Sequence, residues 1–393
     1  MARVLSVRSI RELLYALGVA LCAAALLLFP VQSVAAAKSG LQLCGNVIIP
    51  SLFPFFVLSS FCMEIGLVQY LGRVLEPLMR PLFRVSGACA SAFVLGIIGG
   101  YPVGAKTAIA LYEKRMISRD EAERLLAFCN NCGPAFIFGV VGAGVFSSSA
   151  VGLLLYLIHI LSSVLVGLLF RFRGSRTVSA GCAAPTEEAP AFSAAFTASV
   201  RSAMQSTLSI CAFVLFFTVI IRLLVLSGVL RGAAALLGTL LAPFGGTDAA
   251  AEKLLIGAIE MSSGVASLSG SAGAMSTQLS LAAFILGWAG LCVHCQVLSF
   301  LGSGDLSVRT YLAGKLAHGI ISAALAGVLI RVLPIQLPVS AVYAQQINVL
   351  TGVGFSRALA AASTAAAITW LAFLLVALAA CRKSAGNSGR KHV

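Results

Sequence analysis

The strongest constraint on this chain is a series of long apolar stretches that carry almost no charge. A membrane-spanning helix needs roughly 20 mostly apolar residues. In a chain of 393 residues that is 59% hydrophobic and 10% charged, too little polar surface remains to cover a soluble globule. We therefore predict an all-α polytopic membrane protein embedded in the lipid bilayer. The predicted spans are residues 13–36, 44–66, 125–146, 151–170, 206–230, 279–302, 312–333 and 359–381.

The net charge of +14 arises largely from Lys and Arg in short loops beside the apolar stretches. This distribution is typical of the positive-inside rule and not of a nucleic-acid-binding groove. We predict an integral protein of the cell membrane with both termini in the cytoplasm and no nucleic-acid partner. Whether the chain forms a homo-oligomer is left open by the sequence.

The apolar stretch 88–112 is better explained as a re-entrant hairpin than as a full crossing. A full crossing would place the basic loops 113–115 and 171–173 outside, against the positive-inside rule. A hairpin that turns at residues 99–102, where the sequence is Gly-Gly-Tyr-Pro, returns both loops to the cytoplasm. The same reasoning makes residues 253–275 a second hairpin, which enters from the opposite side.

Two weak internal similarities occur in the same order and indicate an inverted duplication. Residues 95–105 align with 256–266, and a Cys-x-x-Cys at 129–132 aligns with another at 292–295. The predicted organisation is an N-terminal transmembrane helix at 1–40, a first repeat at 41–171 with hairpin 88–112 and broken helix 124–146, a cytoplasmic linker at 172–201, a second repeat at 202–333 with hairpin 253–275 and broken helix 279–304, and an external loop, a last helix and a basic tail at 334–393. An alternative for the N-terminus is a signal peptide cleaved near residue 36, although its apolar run is long for that purpose.

Interrupted helices point to transport. Where Gly and Pro break a helix inside a membrane, backbone N–H and C=O groups are left without bulk water and can bind ligands. Secondary transporters place substrate and coupling-ion sites where the broken helices of two repeats meet. Here the breaks lie at residues 99–102, 130–134, 260–264 and 294–296.

Two motifs carry a resemblance to a known family. The hairpin sequence GGYPVGAK at 99–106 and the sequence NNCGPAFIFG at 130–139 resemble the YlbJ family of sporulation integral membrane proteins, which is part of the nucleoside-recognition, or Gate, group. The resemblance extends over roughly residues 49–333. It implies a fold similar to that of concentrative nucleoside transporters, and it implies a carrier that moves dipicolinic acid across the outer forespore membrane. Alternatives are a nucleoside or other organic-anion transporter of the same fold, or a membrane scaffold or receptor that transports nothing.

Lys106 and Glu260 are the leading charged candidates. Lys106 lies in the apolar first hairpin, where a cation suits an anionic substrate, although it could instead snorkel to the interface. Glu260 lies between apolar residues of the second hairpin and is predicted to couple a proton or an ion. Its alternative role is a structural partner of Lys106 or Arg222, or an acid in a water-filled vestibule.

The remaining candidates lie at or beside the breaks. His294 and Gln296 are predicted to relay a proton or contact the ligand, with a buried structural histidine as the alternative. The other predicted substrate-binding residues, whose alternative roles are helix capping and packing, are Gly99, Gly100, Tyr101, Pro102, Asn130, Asn131, Gly133, Ser262, Ser263 and Gly264.

We predict no cofactor beyond a coupling proton or sodium ion, and a small anionic substrate as the partner. The two Cys-x-x-Cys pairs would suit zinc if they converged, but small apolar residues commonly line close helix packing in membranes, so we predict no metal. A hydrolase that uses Ser262 or Ser263 with His294 has no supporting Gly-x-Ser-x-Gly or His-Glu-x-x-His motif, so we predict no enzyme.

Overall fold

The computed structural model describes residues 7–173, 191–270, 273–302 and 304–332, and every regular element in this part of the chain is helical. The all-α prediction is confirmed. The first half contains α1 Val7–Leu28, α2 Pro30–Leu43, α3 Ile49–Glu64, α4 Leu67–Phe83, α5 Cys89–Gly99, α6 Val103–Glu113, α7 Arg119–Phe128, a π-helical segment Ala135–Val145 and α8 Ser149–Phe170. The second contains α9 Phe192–Leu226, α10 Val229–Leu241, α11 Asp248–Ile259, α12 Met261–Ala266, α13 Met275–Trp288, α14 Gly290–Leu301 and α15 Val308–Val332.

The predicted span at 13–36 is not one straight helix, and whether it spans the membrane stays a prediction. The chain bends by 99° between Tyr15–Leu28 and Pro30–Asn46. The cause is local, because Pro30 lacks a backbone N–H and drives the residue before it out of the helical region. Phe29 accordingly has φ −123° and ψ 53°.

Four helical stretches in the described part are long and apolar enough to cross a membrane, or five if the bent pair counts as one span. The four are Ser149–Phe170, Phe192–Leu226, Met275–Leu301 and Val308–Val332. The predicted span at 359–381 lies outside the described residues, so the total of eight stays a prediction. Helix α9 begins at Phe192, inside the predicted linker 172–201. The last ten residues of that predicted linker are therefore helical, since their Ala-, Ser- and Phe-rich sequence continues into the apolar helix.

The same order of elements occurs twice. In the first unit, the amphipathic helix α4 precedes a helical hairpin, α5 and α6, which is followed by the broken helix made of α7 and the π segment, and then by α8. In the second unit, α10 precedes a hairpin of α11 and α12, a broken helix of α13 and α14, and α15. Both predicted hairpins and both predicted broken helices are therefore present.

A buried carboxylate ties the base of the first hairpin to the broken helix that follows it. Ser118 and Glu121 form a capping box at the start of α7. Glu121 is fully buried, and it also accepts the backbone N–H of Ser86 at 2.7 Å, three residues before α5. This contact sets where α5 starts relative to α7 and thus helps to position the hairpin tip.

Candidate functional site

The tip of the first hairpin touches the break of the first broken helix through glycines. At Gly100 the φ is +81°, a value that favours glycine, and a Cβ there would lie 2.8 Å from the nitrogen of Gly133. Further along the hairpin, a Cβ on Gly96 or Gly104 would lie 1.9 or 2.0 Å from the carbonyl oxygen of Cys129. Only glycine permits this approach, so the tip and the break form one unit.

The second hairpin meets the second break in the same way. Helices α11 and α12 are separated by Glu260 alone and pack through Gly257, where a Cβ built on Gly264 would come within 2.1 Å of the Gly257 Cα. A Cβ on Gly290 would lie 3.0 Å from the Gly257 carbonyl oxygen. The break itself lies at Ala289 and Gly290, where φ is +76° and +81°.

The two Cys-x-x-Cys pairs do not occupy equivalent places. Cys129 and Cys132 border or lie in the first break, whereas Cys292 and Cys295 lie within α14, after the second break. The alignment of the two cysteine pairs predicted the second break at 294–296, about a turn after the observed break at Ala289 and Gly290. The prediction was late because the second cysteine pair does not mark the break. The described residues contain no group of three or more His, Cys, Asp or Glu side chains placed to hold a metal ion.

Glu260 is buried and uses its carboxylate locally. Its two oxygens accept the backbone N–H groups of Ser262 at 2.8 Å and Ser263 at 2.6 Å, which caps α12. In this conformation neither amide is free for a substrate anion. Both carboxylate oxygens are therefore occupied by amides at the N-terminal end of α12.

Both hairpin tips and both broken helices line one small cavity of about 50 Å³. Five of the predicted site residues reach it, namely Tyr101, Gly133, Glu260, Ser262 and Gln296. Its other walls come mainly from apolar side chains of α3 and α9 and from the broken helices, and they are Ile48, Leu52, Cys132, Phe136, Ile210, Val214, Met261, Cys292 and Val293. A cavity of this size holds a few waters at most, so the described conformation has no room there for a larger ligand.

Lys106 lies beside this cavity and faces α9. Its ammonium donates to the hydroxyls of Ser202 at 2.9 Å and Ser206 at 2.7 Å. No carboxylate pairs with it among the described residues, so Glu260 is not its structural partner there. With Pro102, it lines a second and smaller cavity of about 10 Å³ between the first hairpin, α3 and α9.

Asn130 and Asn131 are both buried at the first break and have different roles. The Asn130 side chain approaches the backbone N–H of Ala105 at 3.4 Å and the hydroxyl of Tyr311 at 3.5 Å. Asn131 donates to the carbonyl of Phe128 at 3.0 Å, while its Oδ1 has no hydrogen-bond partner among the described residues. Asn130 therefore holds the break together, and Asn131 keeps one unused acceptor.

Lys315, in α15, is the functional candidate that the sequence reading missed. Its side chain is fully buried, and its ammonium donates to the Tyr101 hydroxyl at 2.8 Å and to the Asn130 carbonyl at 2.9 Å. A third contact, at 3.4 Å, reaches Nδ1 of His318. This lysine thus joins the first hairpin tip to the first break. The polar residues Tyr311, Lys315, His318 and Ser322 recur at helical spacing on an otherwise apolar span, and that pattern was the available signal.

His294 does not contact Ser262 or Ser263. Its Nδ1 lies 3.0 Å from the Tyr311 hydroxyl, and its Nε2 has no partner within the described ranges. Gln296 donates to the sulfur of Cys292 at 3.4 Å and reaches the cavity wall. Among the described residues, His294 therefore has no serine hydroxyl as a hydrogen-bond partner.

Comparison with known proteins identifies the family. The chain is 31% identical over 319 residues to the sporulation integral membrane protein YlbJ of Bacillus subtilis (strain 168), an alignment that covers 75% of this chain and 76% of YlbJ. The chain belongs to the YlbJ family. A family model described as nucleoside recognition, Gate, matches residues 47–176, which include the first hairpin and the first broken helix.

The fold of this YlbJ-family protein is that of a membrane transporter. A structure of the concentrative nucleoside transporter CNTnw, in an outward-facing state, matches it with a TM-score of 0.53 and 16% identity, over 86% of this chain and 89% of CNTnw. The expectation of this fold is confirmed. These relatives are transporter-like membrane proteins and not enzymes, and the YlbJ-family chain is an integral membrane protein.

Among the predicted site residues of the YlbJ-family chain, some reach the cavity and others support it. Gly100 and Gly264 supply close backbone packing, and Gly99 packs against the side chain of Val103. Ser263 caps its hairpin through Glu260, and Pro102 lines the smaller cavity with Lys106. Their roles in binding stay predictions.

Proposed function

We propose that this chain is a secondary transporter that carries dipicolinic acid, a flat aromatic dianion, across the outer forespore membrane during endospore formation. The observation that carries the proposal is the convergence of two hairpin tips and two helix breaks on one closed cavity in a transporter fold. Membership of a family whose curated relative is named for sporulation supports the setting.

The buried charges around the cavity favour an anion. Lys106 and Lys315 are two basic side chains without a carboxylate partner among the described residues, whereas both carboxylate oxygens of Glu260 already accept backbone amides. Surplus positive charge in a medium of low dielectric constant attracts a dianion and repels cations. Tyr101 adds an aromatic ring on the cavity wall, against which a pyridine ring can pack.

The first turns of α9 present an open face near Lys106. Arg201, Ser202 and Gln205 lie on this face. Ser202 accepts a hydrogen bond from Lys106, which in turn borders the smaller cavity. A carboxylate that approaches this face would meet Arg201 first and Lys106 next, and it would replace the serine hydroxyls as the acceptor for that lysine.

The closed cavity sets the transport mechanism that we propose. A space of about 50 Å³ is too small for an aromatic dicarboxylate, so the hairpin tips must separate from the broken helices to admit it. Opening of one hairpin at a time would expose the site to each side of the membrane alternately.

A nucleoside is the second candidate substrate. Glu260, Ser262 and Gln296 are polar groups without net positive charge that suit ribose hydroxyls and base edges, and the matching family model is described as nucleoside recognition. Dipicolinate has no ribose, so the two candidates can be separated directly.

The test is uptake by purified protein in liposomes, with radiolabelled dipicolinate and radiolabelled nucleosides in parallel. We expect dipicolinate uptake that Lys106→Met lowers by about tenfold or more, because one charge-assisted contact is worth roughly 1.5–3 kcal/mol. The matched control is Lys114→Met, which removes an exposed lysine eight residues away in the same chain segment.

Each other outcome has a definite reading. Nucleoside uptake without dipicolinate uptake would replace the substrate, and undiminished transport by Lys106→Met would remove that lysine from the site. If neither substrate moves, and spores of a strain in which this chain replaces the native carrier accumulate no dipicolinate, the transport proposal is wrong and a scaffold or receptor takes its place.

A further inference from the structure

Lys315 is fully buried among membrane helices, and hydrogen-bond acceptors surround its Nζ. A lysine ammonium has three donors, and here three acceptors meet them: the Tyr101 hydroxyl, the Asn130 carbonyl and His318 Nδ1. Asn130 follows the end of α7, where the unpaired carbonyls of a half-helix create a negative potential. A cation bound at such an end is stabilised by backbone dipoles without any carboxylate.

The titratable groups that face Lys315 are all neutral partners. The first hairpin contributes Tyr101, the first break Cys129 and Cys132, and α8 contributes His159. Helix α15 itself supplies Tyr311 and His318, and α14 supplies His294 through Tyr311. Helix α13 has no titratable residue in its sequence. No described acid neutralises the ammonium, so this position carries one full charge or none.

The hydrogen bonds of the two nearby histidines agree with a protonated lysine. His318 accepts from Lys315 through Nδ1, and its Nε2 lies 3.0 Å from the carbonyl of His159. His159 accepts the backbone N–H of Cys132 at 2.9 Å through Nε2, and the two imidazole rings lie 4.4 Å apart. Each neutral imidazole therefore has a defined tautomer, and the mobile proton of the cluster is the one on Lys315.

Buried polar atoms without partners lie on the same helices. His159 Nδ1, Ser162 Oγ and Ser322 Oγ are inaccessible to solvent and have no hydrogen-bond partner within the described ranges. Unsatisfied buried groups of this kind are sites for ordered water. Tyr311, Lys315, His318 and Ser322 follow one face of α15 over about 16 Å, which is half the thickness of a bilayer core. Lys315 thus lies within a continuous buried polar face of α15.

We infer that Lys315 is the proton-binding site of this protein, and that its ammonium bridges the first hairpin tip to the first helix break. When the Nζ–H bond breaks and its proton passes to water on the polar face, the neutral amine keeps two N–H groups for three acceptors and loses its charge, so it holds the Asn130 carbonyl and Tyr101 more weakly. The tip is then free to separate from the break. The coupling role of Lys315 rests on the proposed transport function. The pH-dependent contact between the hairpin tip and the helix break does not depend on it.

A measurement on the protein alone tests the bridge. Cys132 and Cys292 both line the closed cavity, and Cys22 is exposed. Alkylation by N-ethylmaleimide, read per cysteine by mass spectrometry, is followed as the buffer pH rises, with Cys22 as the reference for the pH dependence of the reagent. We expect cavity labelling relative to Cys22 to rise with pH in the unaltered protein and to stay high at every pH in Lys315→Met.

The contrary results are equally clear. Relative labelling that is flat with pH in the unaltered protein, or that rises alike in Lys315→Met, would overturn the bridge. Lys315→Arg, which keeps the charge at every pH, is expected to remain poorly labelled throughout, and Lys114→Met should behave as the unaltered protein does. If the arginine variant is not produced in the membrane, the comparison of the unaltered protein with Lys315→Met still tests the bridge.

A second measurement tests coupling. In liposomes, one pH unit across the membrane is worth about 1.4 kcal/mol, so each coupled proton supports up to about tenfold accumulation of dipicolinate. We expect a pH gradient, and not a sodium gradient, to drive accumulation. Lys315→Met should lose this accumulation, and whatever exchange of labelled for unlabelled dipicolinate it keeps should not vary with pH. Accumulation equal to that of the unaltered protein, or a requirement for sodium, would overturn the coupling role. If even the unaltered protein shows no exchange, the transport proposal has failed, and the labelling result alone judges the bridge.

Discussion

The close approach of the first hairpin to the end of α7 makes Gly96→Ala the sharpest test of the fold around the site. A Cβ at position 96 would lie 1.9 Å from the carbonyl oxygen of Cys129 and 3.0 Å from the Cα of Gly104. Carbon and oxygen atoms normally approach to about 3.3 Å, so the hairpin and the helix end must separate by more than about 1 Å. The obstructing atom belongs to the backbone and cannot turn aside.

The expected cost is therefore at the upper end of the range for overpacking, about 3 kcal/mol. For a helical membrane protein of this size we expect the apparent melting temperature to fall by roughly 5 °C or more. The assay heats the detergent-solubilised protein and measures the fraction that remains monodisperse by size-exclusion chromatography. The matched control is Gly139→Ala in the π segment, where an added Cβ meets nothing within 4 Å.

Gly104→Ala should cost as much as Gly96→Ala, because its Cβ would lie 2.0 Å from the same oxygen. One displacement of the Cys129 carbonyl relieves both contacts, so the double variant should lose less stability than the two single losses together. Gly96→Ala as stable as Gly139→Ala, or losses that add fully, would refute the packing described for this hairpin.

Three further predictions concern single side chains. Tyr101→Phe removes the hydroxyl that accepts a hydrogen bond from Lys315 and donates one to a carbonyl of α13. We expect it to lower the free energy of unfolding by about 1–3 kcal/mol in the same thermal assay, and unchanged stability would argue against the bridge. Glu260→Gln leaves one acceptor oxygen for two amides of α12. We expect dipicolinate transport to be abolished while the amount of protein in the membrane stays normal, and full transport would exclude this residue from the mechanism. Glu121→Ala deprives the Ser86 amide of its buried acceptor and should cost about 2–4 kcal/mol in thermal stability, and a variant with the unaltered melting temperature would show that this anchor is dispensable.

Much of the architecture could be predicted from local pattern. Apolar runs of spanning length, Gly and Pro in the hairpin and break motifs, and basic loops placed by the positive-inside rule were enough to predict an all-α transporter fold with two hairpins and two broken helices. The bend at Phe29 also has a local cause, because Pro30 alone accounts for it. It was not predicted, because the apolar run at 13–36 is continuous across it. The second break was placed wrongly because a pair of cysteines is a weaker marker than two consecutive residues at positive φ, which sequence does not show for Ala289.

What the sequence by itself determined is that lipid surrounds the chain, that the chain is helical, and where the two hairpins and the first break lie, because these depend on neighbours within a few turns. Only the tertiary structure decided which interruptions meet. Tyr101 and Lys315 are 214 residues apart and become partners at 2.8 Å only when α15 packs against the first broken helix. Likewise, Glu260 reads as a lone membrane acid until the turn into α12 brings two amides to its carboxylate. Contacts between distant segments depend on how whole helices pack, and no local pattern of residues encodes them.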